Sequence, residues 1–318
     1  MADELGTDSR EIFNGHFEVD ENWPYDKFPI GQVGGVAMDS KGLLHILHRA
    51  DRVWDGSSFN ESIVYVDHGQ QKIKKPTILV VNTTDGTTVK HWGSDLFVMP
   101  HGLEIDSKDN IYVTDVGLHQ VFKFESGKTS PYLSLGIAFE PAGSNDDMER
   151  FCQPSDVAVA ANGDFFVSDG YCNSRIVKYN KDGMIISIFG ADDSNIPHSL
   201  ALVEDMDYLC VADRENMRVL CYRAGLTDAN NTGAPVVQFI NKEIGRVFGI
   251  TYNGLLYGVT GPTGILKNQG FSLDVKNSEA YDTNGFANPH CITVSKDGGT
   301  VYVGEIDPNF VWKMEKDE

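Results

Sequence analysis

The sequence predicts an all-β protein, a six-bladed β-propeller, and three observations carry that expectation. The segments Pro100-His101-Gly102-Leu103, Pro197-His198-Ser199-Leu200 and Pro289-His290-Cys291-Ile292 repeat one pattern, and Pro154-Ser155-Asp156-Val157 fits it with Ser for His. Two looser copies, Gly34-Gly35-Val36 and Phe248-Gly249-Ile250, complete a set of six anchors: Gly34, His101, Ser155, His198, Phe248 and His290. Each anchor opens a short alternating strand, a turn and a second strand, and a repeat of about 40–50 residues carrying several strands marks a propeller blade. Six copies fill residues 1–318 as one domain, with 1–25 as an N-terminal extension. A β-sandwich or a pair of small β domains has no reason to show such regular internal spacing.

The elements follow from local chemistry. In the second copy a strand over 102–106 is followed by the turn Ser107-Lys108-Asp109 and a strand over 110–114; in the third copy the turn is Ala161-Asn162-Gly163. Asp, Asn and Gly clusters between β-rich runs are hairpin signals. A third strand follows in each repeat, as Val121-Phe122-Lys123-Phe124, Ile176-Val177-Lys178-Tyr179, Val219-Leu220-Cys221-Tyr222 or Val311-Trp312-Lys313-Met314. The motif style resembles NHL repeats.

Bulk properties exclude some functions. With 41% apolar and 23% charged residues the chain has enough apolar material for a large core, which argues against disorder. A formal net charge of -20 repels phosphate backbones and anionic membranes, so a nucleic-acid partner is not expected. No apolar run approaches the roughly 20 residues that span a bilayer. Residues 1–10 are polar and acidic rather than signal-like. The expectation is a secreted or granule-lumen protein whose signal was removed and a start Met added; a cytosolic chain is the alternative. Asn60, Asn82 and Asn230 each open an Asn-X-Ser/Thr sequon, a glycosylation candidate.

The unusual residues share one face. The spans His101 to Asp115, Ser155 to Asp169, His198 to Asp213 and Gly34 to His48 are nearly equal. In an antiparallel hairpin the start of the first strand lies beside the end of the second, so anchors and following turns sit on the same side of the disc. Just past that point stand Arg49 in blade one, Arg214 in blade four and, one residue further, Tyr171 in blade three. Two cations and a phenol are therefore expected over the mouth of the central channel.

Three of the nine histidines are anchors, in blades two, four and six. Alternate blades of a six-fold ring lie about 120° apart, so three imidazoles converge on one axis. Three protein ligands with a fourth position open is the arrangement of a catalytic zinc. The plain alternative is three histidines that only fill the channel. His48 and His119 lie near turns, where a structural role or support of the site is expected; His16, His45, His68 and His91 carry no pattern.

The cysteines support the same face. Cys210 and Cys221 flank the turn of Arg214 and lie directly opposite each other in that hairpin, within reach of a disulfide. Cys152 precedes the third anchor, Cys172 follows Tyr171, and the same antiparallel logic joins them. Two disulfides imply an oxidising compartment; four reduced core cysteines are the alternative. Cys291 is left over beside His290.

Four runs, His48-Arg49-Ala50-Asp51-Arg52-Val53-Trp54-Asp55-Gly56, Leu118-His119-Gln120-Val121-Phe122-Lys123, Ser168-Asp169-Gly170-Tyr171-Cys172-Asn173-Ser174-Arg175 and Val211-Ala212-Asp213-Arg214-Glu215-Asn216, closely resemble those of peptidyl-α-hydroxyglycine α-amidating lyase. The similarity covers roughly residues 31–314. It implies a lyase that releases an amidated peptide and glyoxylate in neuropeptide and hormone maturation. Its substrate would come from a copper-dependent peptidylglycine hydroxylating monooxygenase. The resemblance implies zinc on His101, His198 and His290, Tyr171 as base, and Arg49 and Arg214 as substrate-binding and charge-stabilising groups. It also implies a structural calcium on the carbonyls of Val36 and Leu103. The family's carboxylate for that ion is here replaced by Cys291, and a thiol is a poor calcium ligand. Zinc and the two arginines are expected to draw the Tyr171 phenol down. The competing functions are a lactonase-like propeller hydrolase, built around Asp, Glu and Asn on calcium, and a non-catalytic NHL interaction module.

Overall fold

A computed structural model describes residues 17–24, 28–240, 244–264, 266–276 and 279–316. Six four-stranded antiparallel sheets are arranged as blades, with no α-helix among the described residues. Blade one runs outward through Val33–Met38, Leu43–His48, Ile78–Asn82 and Thr88–Trp92. Blades two to five begin with the inner strands Pro100–Ile105, Pro154–Val159, Pro197–Val203 and Arg246–Asn253, and blade six with Pro289–Val294. Each inner strand packs against its two neighbours, and the sixth packs against the first, so the ring closes around a channel.

The closing blade corrects one expectation. Part of the predicted N-terminal extension, Phe17–Val19, is the outermost strand of blade six, paired with Asn309–Lys316. The physical reason is edge satisfaction: the last strand of the chain would otherwise present an unpaired ladder. Phe17 is buried there, and Lys313 ties to Asp20 at 3.0 Å. The fourth strands of the other blades, such as Leu133–Leu135 and Ile185–Phe189, were also missed from the sequence.

The core is divided into six apolar clusters, one between each neighbouring pair of blades. Alternation explains this. Leu44 and Ile46 of one strand face blade six, whereas Leu47 of the same strand faces blade two. Both faces of a blade are buried, so its strands read as near-continuous apolar runs.

Every inner strand slips register at its anchor. The breaks fall between Val33 and Gly35, Pro100 and Leu103, Pro154 and Asp156, Pro197 and Leu200, Val247 and Gly249, and Pro289 and Cys291. A bulge of this kind leaves a residue out of the ladder and re-aims its side chain. The repeat recognised in the sequence is thus a ring of bulges, and each anchor lies at one.

In five of the six blades a buried side chain at the end of the second strand then latches the segment that leads into the anchor; blade five, whose second strand ends in Thr260-Gly261, has none among the described residues. Asp115 accepts from the N–H groups of Val98, Met99, Gly117 and Leu118. Asp169 accepts from Cys152, Asp213 from Asn195, and Glu305 from Ala287 and Asn288. In blade one His48 does the same work, its Nδ1 accepting from Gly31 and Ala50. Such buried acceptors are costly unless satisfied, so each latch holds its loop in one place.

Of the sequons, Asn60 and Asn230 are exposed and Asn82 is half-buried. No described helix is long and apolar enough to cross a membrane.

Candidate functional site

The three anchor histidines converge at the channel mouth. His101, His198 and His290 are almost wholly buried, at 1%, 2% and 3% exposure. One ligand nitrogen from each lies within 4.8 Å of the other two. Their ring centroids are 4.9, 4.7 and 5.0 Å apart.

Each imidazole is oriented by the next blade. Nδ1–H of His101 donates to the Ser155 carbonyl at 2.7 Å, that of His198 to Phe248 at 2.6 Å, and that of His290 to Gly34 at 3.1 Å. These acceptors are the anchors of blades three, five and one, whose bulges take them out of regular pairing. Histidines from even blades therefore dock on bulges of odd blades. A carbonyl partner fixes the proton on Nδ1 and leaves Nε2 bare toward the axis. Burial, reinforced for His101 and His198 by neighbouring histidines, pushes these imidazoles far down; His290 falls to about 3. All three are neutral at physiological pH. At Gly34 an added Cβ would lie 2.7 Å from the His101 carbonyl, so only glycine permits this approach of blades one and two.

Tyr171 reaches this centre from the turn after the second strand of blade three. Its Oη lies 2.9 Å from Nε2 of His101 and 2.8 Å from Nε2 of His198. One phenolic proton serves only one of these bare nitrogens, whereas a cation serves all of them. Three neutral imidazoles with converging lone pairs suit a borderline metal such as zinc. The disulfide Cys152–Cys172 anchors the turn from below, and Gly170 lies so close to the Pro197 carbonyl that a Cβ would collide with it.

The cations stand on either side. Arg49 is buried; its Nε donates to the Pro100 carbonyl at 3.2 Å and its Nη1 to Gln32 Oε1 at 2.8 Å, while Nη2 has no partner. Burial lowers this guanidinium to about 10, so it stays charged at neutral pH. Arg214 lies 5.0 Å over the Tyr171 ring and 5.0 Å over Phe248. The Cys210–Cys221 disulfide closes the hairpin behind Arg214.

The electrostatics of Tyr171 differ in balance from expectation. Arg214 and Arg49 do draw the phenol down, but burial outweighs them and pushes it up. In the residues alone the phenol is the stable form, because the two cations only partly compensate its desolvation.

Several contacts were not foreseen. Trp54 packs against Tyr171 at 4.7 Å and His101 at 5.9 Å. Glu215 bridges Arg214 at 3.0 Å and Arg246 at 2.9 Å. Trp54 and Gln32 lie in irregular segments, for which strand periodicity gives no phase. Arg246 opens the inner strand of the blade whose anchor copy is loosest.

The remaining histidines have other roles. His48 is a latch, and His119 joins two loops, Nε2–H donating to Ile63 O and Nδ1 accepting from Gln153 N–H, both at 3.0 Å. His45 meets Asp39 at 3.3 Å; His68 and His91 are exposed; His16 lies outside the described residues.

Along the channel away from Tyr171, a cavity of about 180 Å³ is lined by Val36, Leu103, Glu104, Asp156 and Cys291 among others. Cys291 does not offer the oxygen a calcium needs. Its Sγ lies 3.9 Å from the Gly304 carbonyl among apolar neighbours, and burial pushes the thiol up, so it stays protonated.

The NHL repeat model matches residues 97–124, 151–179 and 195–222. The chain is 41% identical over 305 residues to peptidyl-alpha-hydroxyglycine alpha-amidating lyase 2 of Drosophila melanogaster, covering 92% of this chain and 74% of that protein. It is 44% identical over 320 residues to peptidyl-glycine alpha-amidating monooxygenase A of Xenopus laevis, covering 94% of this chain but only 33% of that protein. Among solved structures, a gluconolactonase from Xanthomonas campestris superposes with a TM-score of 0.63 at 14% identity, covering 91% of this chain and 88% of that one. The last shows a shared fold alone.

Proposed function

The chain belongs to the family of peptidyl-α-hydroxyglycine α-amidating lyases, and from that premise we propose that it cleaves peptidyl-α-hydroxyglycine into a C-terminally amidated peptide and glyoxylate, with zinc held by His101, His198 and His290. One observation supports this above the rest: three neutral imidazoles converge with their Nε2 atoms unprotonated, and the Tyr171 oxygen lies within hydrogen-bond distance of two of them. As a lyase of peptide amidation, the protein needs a base for a hydroxyl, a place for a carboxylate and a way to return a proton to nitrogen.

The substrate carries a hydroxyl and an amide nitrogen on one carbon. When bound, zinc supplies Lewis acidity that lowers the pKa of an adjacent hydroxyl. Tyr171 acts as the base: its Oη takes the hydroxyl proton as the carbon–nitrogen bond breaks. The carbon becomes the aldehyde of glyoxylate, and the nitrogen leaves as the peptide amide after Tyr171 returns to it the proton taken from the hydroxyl. Arg49 receives the substrate carboxylate through Nη2, its one buried nitrogen without a partner, because a charged donor there binds a carboxylate oxygen strongly. Arg214, across the Tyr171 ring, favours the phenolate that this chemistry requires.

The two disulfides and the amidating relatives fit the secretory pathway. We place the enzyme in the lumen of secretory granules or outside the cell, with glycans on the exposed Asn60 and Asn230. Its substrate comes from a copper-dependent peptidylglycine hydroxylating monooxygenase. A lactonase-like reaction or a purely binding propeller leaves the buried triad without purpose.

The test is glyoxylate release from an α-hydroxyglycine peptide by protein stripped of metal and then given zinc. Activity is expected to vanish on stripping and return with zinc, and His198→Ala should lose both bound metal and turnover. Full activity in metal-free protein would overturn the proposal.

A further inference from the structure

Trp54 stands on the loop between the second and third strands of blade one. Its ring packs against Tyr171 with centroids 4.7 Å apart, and His101 lies 5.9 Å away. The Arg49 guanidinium sits 5.3 Å over the same indole, and Phe59 backs it at 5.5 Å. Its backbone N–H donates to Gln32 Oε1 at 3.0 Å, and that oxygen also accepts Arg49 Nη1 at 2.8 Å. The indole is therefore held rigidly beside a histidine of the triad, the phenol and one cation at once. It is only partly buried, and Val53 beside it is 55% exposed. Arg214 also lies 5.0 Å over the Tyr171 ring.

We infer that Trp54 is a specificity-determining residue, forming the wall against which the side chain preceding the α-hydroxyglycine rests. The inference rests on the proposed reaction. A substrate whose hydroxyl lies at Tyr171 and whose carboxylate lies at Arg49 must lead its peptide out of the mouth past their shared neighbour, the indole. An aromatic or large apolar side chain gains contact there. A cationic side chain does not, because Arg49 already lies over the ring and like charges repel. The wall thus favours an aromatic residue over alanine, and alanine over lysine, at that one position.

The experiment measures kcat/KM for three peptidyl-α-hydroxyglycines that differ only in that residue: Phe, Ala or Lys. The full-length, zinc-loaded wild type is compared with Trp54→Phe and Trp54→Ala. The wild type should prefer Phe to Ala by about tenfold, mainly through KM. Trp54→Phe should keep the order and Trp54→Ala should lose it. A ratio between substrates cancels any uniform loss from a displaced Tyr171. If Trp54→Ala does not fold, Trp54→Gln, which has no aromatic face, takes its place. Glyoxylate release without preference in the wild type, or an unchanged ratio in the variant lacking an aromatic ring, overturns this inference alone. No release from any of the three peptides overturns the proposed reaction and this inference together.

Discussion

At the scale of single residues, the proposed reaction turns on the placement of one oxygen. The Tyr171 ring contacts both the Trp54 indole and the Arg214 guanidinium, and these contacts do not involve the hydroxyl. Tyr171→Phe should therefore fold normally and keep its metal while losing turnover by about 10²–10⁴-fold, the range for a positioned acid or base. Glyoxylate assay and metal analysis of the same sample check this. Turnover within a few-fold of wild type would remove Tyr171 from the chemistry. The two arginines differ in kind: Arg49 keeps one buried nitrogen free for a ligand, whereas Arg214 has its Nε on Glu215 and offers its face to the phenol.

At the scale of elements, turns and loops are fixed by buried polar side chains rather than by their own conformational preference. His119 shows the consequence for pH. It joins the loop containing Ile63 to the segment entering blade three, and burial lowers its pKa to about 4. The unfolded chain binds a proton there below about pH 6.5 that the folded chain refuses. Its contribution to stability is present above that pH and is lost as pH falls toward 4. Between pH 7 and pH 5 the loss is on the order of 2 kcal/mol. The drop in urea midpoint between these pH values should be smaller in His119→Gln than in wild type; an equal drop would show that His119 does not titrate as its burial requires. His48 is lowered to about 4 by the same cause and adds in the same direction. Glu104 and Asp156, raised by burial to about 8 and about 6, act in the opposite sense: each favours the folded state at low pH and loses that contribution as pH rises through its folded value. Comparing slopes between variant and wild type isolates His119 from both.

At the scale of the whole molecule, the propeller is held as a circle. Blade six takes its outer strand from the beginning of the described chain and its other three from the end. Phe17, 3% exposed, is the buried apolar residue of that strand, next to Tyr257. Phe17→Ala should cost about 3 kcal/mol and lower the Tm by several degrees, as scanning calorimetry would show. A Tm unchanged from wild type would mean that the outer strand does not hold the circle. Opening the ring also slackens the contact of blade six with blade one, where His290 docks on Gly34, so metal affinity should fall with it.

The sequence by itself determined the six repeats, the shared phase of His101, His198 and His290, the turns of Arg49, Tyr171 and Arg214, and both disulfide pairs. All of these are periodic or lie within one hairpin, where strand alternation and turn chemistry dictate who faces whom. What only the tertiary structure decided was everything that passes between blades. The docking of each histidine on the bulged backbone of the next blade, the indole of Trp54 over Tyr171, and the closure of blade six by Phe17–Val19 have no local signature. They depend on how neighbouring sheets meet, and no periodicity within a segment encodes that distance. The balance on the Tyr171 phenol was hidden for the same reason: the cations that draw it down were visible as letters, but the burial that outweighs them exists only once the ring has closed.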